Sequence, residues 1–329
     1  TAGTGVSTVG VAGLDTFSDT SGTWTVNTGT VRVGGNGAYT GSGTMAVNGP
    51  GTLEFNQGGS FNANALSAVG GATLAFTNGT TTFAGTFNAP TANISGGTAN
   101  FNAASGIGSL NLSGGAIGGS GTVTLSGAST WTGGTMGGGG GTLLVAGLGA
   151  VLTGSGGGIL GGGNNNYTLA TASNGLIKLT NANVSFNNNN FTFNNGGTLE
   201  LAGDVDFHSI GGSGNAINNS GTITKTAGAG VSIIGVAGLD TFSDSSGTWA
   251  VNTGTLRVGG NGTYTGSGTI TVNGPGTLEF NEAGSFNANA LSAYGGTTLA
   301  FTNGTTSFAG AFNAPTANIS GGTANFDAN

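Results

Sequence analysis

The stretch Asn48-Gly-Pro-Gly-Thr-Leu-Glu-Phe55 places a corner directly before a short alternating segment. Gly permits the positive φ of a tight corner, and the Thr that follows favours extended backbone. In the last three residues the apolar Leu53 and Phe55 share one face of a strand, and Glu54 takes the opposite face. The stretch therefore predicts a short β-strand with one buried face, entered through a tight corner.

This pattern recurs along the chain at intervals of roughly two dozen residues. The segments are Val31–Val33, Leu53–Phe55, Leu74–Phe76, Val123–Leu125, Ile177–Leu179, Val184–Phe186, Leu199–Leu201 and Val205–Phe207. A period of about 20–25 residues matches one coil of a parallel β-solenoid, with two or three strands in each coil. No segment has sustained apolar residues at helical spacing, and each Gly would cost a helix about 1 kcal/mol. The sequence predicts an all-β, parallel β-solenoid fold.

Stacking of the coils should bring like residues together. One series of strand starts runs through Val31, Leu53, Leu74, Ala99, Val123, Leu143, Ile177, Leu199, Ile223 and Leu256. We expect these residues to lie on stacked turns, with neighbouring turns about 4.8 Å apart. Inward Val, Leu, Ile and Phe should form columns. Asn should occupy left-handed corners or form hydrogen-bonded ladders; the dense Asn runs are Asn164–Asn166, Asn187–Asn190 and Asn194–Asn195. The competing fold is an antiparallel β-sandwich array, which the short strands disfavour.

A long repeat contains the short one. Residues 1–104 return at 226–329, with roughly 87 of 104 positions identical. Asn48–Phe55, for example, returns as Asn273–Phe280. The sequence therefore predicts one full unit at 1–225 and a partial second copy at 226–329 that continues the same solenoid, as in a tandem array.

The composition limits the partners. Of 329 residues, 73 are Gly, 5% are charged and none is Cys, and the net charge is −7. The only basic residues are Arg32, Lys178, Lys225 and Arg257. Too few cations are present to neutralise phosphates or an anionic bilayer surface, so we expect no nucleic-acid partner. The longest apolar stretch, Leu143–Leu152, is interrupted by Gly and is far shorter than a membrane span, so we expect no membrane insertion. Residue 1 is Thr, which favours a processed or internal segment.

Carboxylates are the candidate cation ligands. Asp-x-x-x-Asp and Asp-x-Asp spacings give weak calcium candidates at Asp15, Asp19, Asp204, Asp206, Asp240 and Asp244. Calcium needs six to eight oxygens, and the Gly-Gly-x-Gly-x-Asp repeat of calcium-binding β-rolls is absent. A solvated exterior is the favoured interpretation, and we expect neither a metal nor a cofactor.

Catalysis is not expected either. His208 is the only histidine, and the 11 acidic residues are spread over the whole length rather than clustered. Trp24, Trp131 and Trp249 could offer sugar-stacking platforms, but Trp24 and Trp249 are equivalent in the long repeat and are expected to be packing residues. Pairs such as Thr122-x-Thr124 do not recur from coil to coil, which disfavours an ice-binding surface.

The rhythm of Ser126–Met136, Gly141–Val145 and Ile217–Lys225 resembles the repeat regions of large exported bacterial proteins, the adhesin-like, autotransporter-type right-handed β-helices. The resemblance implies secretion, an elongated shape and an extracellular or cell-surface location. The sequence thus favours a structural fibre, sheath or stalk whose partner is itself, through head-to-tail stacking or further covalent copies. The alternative is an adhesin rod that binds a surface glycan or a receptor.

Overall fold

The computed structural model describes residues 4–10, 16–20, 22–155, 159–161, 166–181, 183–186, 190–209, 211–235, 239–260 and 263–327. Two compact units are present: Thr1–Leu152 with Asn165–Tyr167, and Thr153–Asn164 with Thr168–Asn329. Their division does not coincide with the start of the second sequence copy at 226. The repeat-based organisation, with 1–225 as one unit and 226–329 continuing it, stays a prediction.

The described residues form 35 β-strands and no helix. The first 17 strands are β1 (Val6–Val9), β2 (Thr16–Asp19), β3 (Thr23–Thr25), β4 (Thr30–Gly35), β5 (Ala38–Asn48), β6 (Thr52–Ala68), β7 (Thr73–Phe83), β8 (Phe87–Ile94), β9 (Thr98–Phe101), β10 (Ser105–Leu112), β11 (Ala116–Gly118), β12 (Thr122–Leu125), β13 (Ala128–Trp131), β14 (Thr135–Met136), β15 (Thr142–Val145), β16 (Val151–Gly154) and β17 (Ile159–Gly161). The others are β18 (Thr168–Thr171), β19 (Leu176–Leu179), β20 (Val184–Phe186), β21 (Thr192–Asn195), β22 (Thr198–Ala202), β23 (Phe207–Ser209), β24 (Asn215–Asn219), β25 (Thr222–Ala227), β26 (Val231–Ile234), β27 (Leu239–Asp244), β28 (Thr248–Val251), β29 (Thr255–Gly260), β30 (Thr263–Asn273), β31 (Thr277–Ala293), β32 (Thr298–Phe308), β33 (Phe312–Asn313), β34 (Thr316–Ile319) and β35 (Thr323–Phe326).

Each unit is a parallel β-solenoid whose turns have three faces. Some turns place one short strand on each face, whereas a long strand such as β6 runs over more than one face and pairs with two strands of the preceding turn. In the second unit β18, β19 and β20 lie in three separate columns, because they pair in parallel with β21, β22 and β23. Those strands pair in turn with β24, β25 and β26. The fold prediction is confirmed, and the antiparallel sandwich alternative is wrong.

The expected stacking series holds only in part. Leu53 pairs with Leu74, as expected. Leu74 then pairs with Ala92 instead of Ala99, and Ala99 pairs with Thr81 on a different face. The series is therefore wrong at Ala99, whereas later members of it do pair in register, Val123 with Leu143 and Ile177 with Leu199. Alternation along a strand shows which residues point inward, but it does not distinguish among the three faces of a turn.

Turn lengths also vary more than the sequence rhythm suggested. The chain between register partners is short from Leu74 to Ala92 and clearly longer from Phe207 to Ile234. Each strand still meets its partner because the corners absorb the difference in length. Val205 and Asp206 lie in such a corner, since β23 begins only at Phe207, later than the sequence suggested.

Apolar columns fill the interior of both units. Phe55 stacks on Phe76 of the next turn, with ring centroids 5.1 Å apart and planes at 12°. Phe280 stacks on Phe301 in the same way, at 5.2 Å and 9°. All four rings are buried. The predicted files of Phe are confirmed at these positions, and offset stacking stabilises each file beyond simple burial.

Asn serves the two purposes that the sequence suggested. Asn166 and Asn190 have φ of 55° and 62°, so both occupy left-handed corners. Asn93 and Asn111, and likewise Asn194 and Asn218, form amide ladders between turns. Residues 164–165 and 187–189 of the predicted runs lie outside the described part of the chain.

Candidate functional site

A buried polar ladder crosses four turns of the second unit. Thr171, Asn195, Asn219 and Asp244 are register partners in β18, β21, β24 and β27, and each is at most 4% exposed. The Thr171 hydroxyl donates to Asn195 Oδ1 at 2.7 Å, and Asn195 Nδ2 donates to Asn219 Oδ1 at 2.8 Å. Asn219 Nδ2 donates to Asp244 Oδ2 at 3.0 Å.

The ladder ends at a carboxylate that collects three donors. Besides Asn219, the indole Nε1 of Trp249 donates to Asp244 Oδ2 at 2.7 Å, and the backbone N–H of Gly247 donates to Asp244 Oδ1. A buried carboxylate is tolerated only where such donors replace its hydration. The ladder therefore links successive turns through contacts that only one register satisfies.

Salt bridges also connect neighbouring turns. All four basic residues of the chain pair with an acid about one turn away: Arg32 with Glu54 at 2.9 Å, Lys178 with Glu200 at 3.0 Å, Lys225 with Asp204 at 2.7 Å, and Arg257 with Glu279 at 2.9 Å. Arg32, Lys178 and Arg257 are about one-third exposed, so their pairs add little to the free energy of folding.

Lys225 is the exception, because its side chain is fully buried. Lys225 pairs in register with Leu201 of the preceding turn and with Val251 of the following turn. A lysine therefore occupies an inward position that the neighbouring turns fill with aliphatic side chains. Its Nζ donates to the Gly203 carbonyl at 3.0 Å, to Asp204 Oδ1 at 2.7 Å and to Ser232 Oγ at 3.0 Å. The ammonium thus uses all three protons, two on the corner that follows β22 and one on Ser232 of β26.

Asp204, a predicted calcium candidate, is the counter-ion of this lysine. The hydrogen bond from Lys225 holds the pKa of the Asp204 carboxyl below its usual range, and the Gly230 N–H donates to the same oxygen. The carboxyl is about half exposed. A divalent cation at Asp204 would have to compete with an ammonium 2.7 Å away.

The other calcium candidates are separated. Asp206 accepts the Ile233 N–H at 2.8 Å, and Asp244 belongs to the buried ladder. Asp15 lies outside the described residues, as do the side chains of Asp19 and Asp240. Within the described part of the chain, no three His, Cys, Asp or Glu side chains converge as a metal site.

His208 is half-buried and faces one hydroxyl. Its Nε2 lies 3.4 Å from Ser185 Oγ on the neighbouring turn. Burial lowers the pKa of His208, and the charge of Asp206 opposes that shift. Among the described residues Nδ1 has no hydrogen-bond partner. A serine and a weakly basic histidine without an orienting third group do not reproduce a nucleophilic triad.

The tryptophans are packing residues where they can be described fully. Trp131 and Trp249 are 1% exposed, so their ring faces are not available for stacking on a sugar. Trp24 is half-buried. The sugar-platform interpretation is wrong for Trp131 and Trp249, because each indole lies inside the solenoid rather than on it.

Polar grooves lie on the outside of each unit. In the second unit a groove of about 360 Å³ is lined by amides and hydroxyls, among them Asn194, Asn218, Ser220 and Ser243. In the first unit a groove of about 370 Å³ is lined by Thr40, Ser42, Asn62 and Asn64 among others. Both grooves present uncharged donors and acceptors one turn apart, which is the chemistry that hydroxyl-rich ligands require.

Sequence reasoning missed Lys225 and the environment of Asp244. A signal was available for the lysine, because Thr222-Ile-Thr-Lys225 aligns with Thr198-Leu-Glu-Leu201 and puts Lys in an inward position. No comparable signal marked Asp244, whose donors come from the preceding turn and from its own turn.

No helix in the described residues is long and apolar enough to span a membrane. Comparison with known proteins adds no relative: no family model, no curated protein and no solved structure matches this chain.

Proposed function

We propose that this chain is a structural repeat protein of an extracellular fibre, sheath or surface stalk, without enzymatic activity. The observation that carries the proposal is the pairing of like or complementary side chains turn on turn. Stacked Phe rings, amide ladders and the four inter-turn ion pairs all join a turn to the next one. Contacts of this kind resist extension along the stacking direction and serve no bound substrate.

The proposed mechanism is mechanical. Pulling neighbouring turns apart would break a ladder of backbone hydrogen bonds and expose an apolar column at the same time. The exterior of hydroxyl, amide and few charged groups keeps the surface wettable. Further copies of the chain, joined covalently or stacked head to tail, are the proposed partners.

Imaging of the native material tests the proposal. Negative-stain micrographs should show filaments, and fibre diffraction should give an axial spacing of about 4.8 Å. With about nine to eleven turns in each full copy of the long repeat, one copy should advance roughly 43–53 Å. Antibody labelling of intact source cells checks the extracellular location. Compact particles without an axial repeat would contradict a fibre.

A second candidate is an adhesin that binds a surface glycan or a receptor through its polar grooves. The groove of Asn194, Asn218 and Ser243 favours it, because amides and hydroxyls in one row suit a chain of sugars. A glycan array probed with the wild-type chain and with N194A/N218A separates the candidates. Binding that the double variant loses would support the adhesin, and absence of binding would leave the structural role.

A further inference from the structure

One column of strands in the second unit carries two outward files of side chains. In β21, β24, β27, β30, β31 and β32, parallel register places two outward residues of each strand beside the equivalent two of the next turn. The first file consists of Thr192, Ala216, Thr241, Thr263, Ser285 and Thr305. The second file consists of Asn194, Asn218, Ser243, Thr265, Asn287 and Ser307. These twelve residues are the neutral face.

The neutral face is polar and uncharged. Apart from Ala216, every side chain in it ends in a hydroxyl or an amide, and none carries a charge. All twelve residues are at least partly exposed. The residues between the two files point inward, as Phe193, Ile217 and Tyr264 do at 0% exposure.

Charged side chains lie elsewhere on the described surface of this unit. Its two partly exposed ion pairs belong to the other columns, Lys178–Glu200 to β19 and β22, and Arg257–Glu279 to β29 and β31. Asp244 belongs to β27, but it points inward and is 1% exposed. The side chain of Asp240, in the same strand, lies outside the described residues. The neutral face therefore suits an uncharged polar partner, and its files do not repel an identical surface.

The groups of the neutral face are complementary to themselves. Asn218 Nδ2 donates to Asn194 Oδ1 at 2.9 Å, so amides of this file already bond like to like. An amide has two N–H groups and two oxygen lone pairs, and a hydroxyl both donates and accepts, so the same groups on a facing surface can pair with them. Successive turns lie about 4.8 Å apart, and a second solenoid of the same pitch stays in register along the whole file. A partner with another spacing accumulates a mismatch from turn to turn.

The first unit carries a file of the same kind. Ser18, Thr40, Asn62, Thr82 and Asn100 are successive register partners in β2, β5, β6, β7 and β9, and none is charged. In the long repeat Ser18, Thr40 and Asn62 are equivalent to Ser243, Thr265 and Asn287. The surface is therefore a property of the repeat and recurs with each copy.

We propose that the neutral face is a lateral contact surface for a second copy of this chain, so that solenoids associate side by side through facing amide and hydroxyl files. The proposal goes beyond the axial stacking of the proposed function, because it joins turns of different molecules across the stacking direction. Each hydrogen bond between the faces replaces bonds to water and adds little by itself. Association of single chains is therefore weak, and it strengthens with the number of copies in an array.

Charge added to the neutral face tests the proposal. N218D/N287D places two carboxylates on this face, and N252D/N273D adds the same charge outside it. Asn273 pairs with Ala250 of β28 and so lies on another column. All four amides are exposed, so both variants should fold. Sedimentation equilibrium of the full chain at low ionic strength, where repulsion is least screened, gives the dissociation constant.

N218D/N287D should weaken the association of the wild-type chain by about tenfold or more, because like charges then face each other. N252D/N273D should leave the association unchanged, and an equal mixture of N218D/N287D with N218K/N287K should restore it. A wild-type chain that stays monomeric up to about 1 mM would overturn the lateral surface.

Equal weakening by N218D/N287D and N252D/N273D, or by neither, would also overturn it, since the contact would then lie elsewhere. Filaments that form without side-by-side association would keep the proposed fibre and refute the lateral surface. A monomeric wild type whose glycan binding is lost in N194A/N218A would assign these amides to the adhesin instead.

Discussion

Gln57 and Glu282 occupy equivalent, fully buried positions in the two copies of the long repeat. Each contacts a threonine of the next turn: Gln57 Nε2 donates to Thr81 Oγ1 at 3.0 Å, and Thr306 Oγ1 donates to Glu282 Oε1 at 3.0 Å. One site therefore places a neutral amide, and the other an ionisable carboxyl, in the same surroundings.

This pair predicts a pH dependence. Burial raises the pKa of Glu282 from 4.5 to about 7, while hydrogen bonds from its own backbone and from Thr306 oppose the shift. Between these pH values the folded protein keeps a proton that the unfolded chain has released, so its stability falls as pH rises. The loss of folding free energy above pH 7 is at most roughly 3.5 kcal/mol, at about 1.4 kcal/mol per pKa unit.

E282Q should remove this dependence. Guanidinium unfolding at pH 5 and pH 8 is the measurement, and the variant should gain stability over the wild type only at pH 8. The equivalent site in the first copy supplies a control: Q57E should add a second loss of stability as pH rises. Equal pH profiles for the wild type and E282Q would show that Glu282 is not held protonated.

The buried ladder predicts a contrast between adjacent amides. Asn219 is 2% exposed and bonds Asn195 and Asp244, whereas Asn218 is exposed and bonds Asn194. N219A should cost about 2–3 kcal/mol, because it leaves a buried amide proton and a carboxylate oxygen short of partners. N218A should stay within about 0.5 kcal/mol. Chemical denaturation followed by tryptophan fluorescence measures both, and equal losses of stability would contradict the ladder.

The buried ion pair leads us to expect that removing Asp204 lowers the stability of the protein more than replacing Lys225 does. D204A should destabilise the protein strongly, since it leaves the Lys225 ammonium buried without a counter-ion. K225M should be much milder, because Met fits an aliphatic column and the half-exposed Asp204 regains water. The double variant D204A/K225M should recover most of the loss of D204A. If the double variant were as unstable as D204A, the contribution of Asp204 to stability would come from packing rather than from its charge.

Substitution of two corner glycines by alanine should lower the stability of the protein by different amounts. Gly71 and Gly79 have φ of 78° and 63°. A Cβ at Gly71 meets no atom within 4 Å, whereas at Gly79 it overlaps the carbonyl oxygen of Gln57. G71A should cost about 1–2 kcal/mol from left-handed backbone alone. G79A should lower the stability further, because the added Cβ forces the turns that carry Gly79 and Gln57 apart. Thermal unfolding of both variants checks the order, and the reverse order would refute the close approach.

The strands and their inward faces could be predicted from the sequence. Leu53-Glu54-Phe55 and its relatives alternate with period two, so each could be assigned an inward and an outward face. Repetition at about two dozen residues then left a parallel solenoid as the arrangement that buries every inward face. The function of the outward grooves could not be read in this way, because their residues are ordinary Asn, Ser and Thr.

The sequence by itself determined that short strands with one apolar face repeat at coil length, and hence that like residues stack. Only the tertiary structure decided which turn each residue meets: that Leu74 pairs with Ala92, that Lys225 enters an aliphatic column, and that the half-exposed Asp204 is its counter-ion. The physical reason is that alternation is a property of neighbouring residues, whereas register depends on corners of variable length. The register is fixed only when the hydrogen bonds and side-chain contacts between whole successive turns are satisfied together.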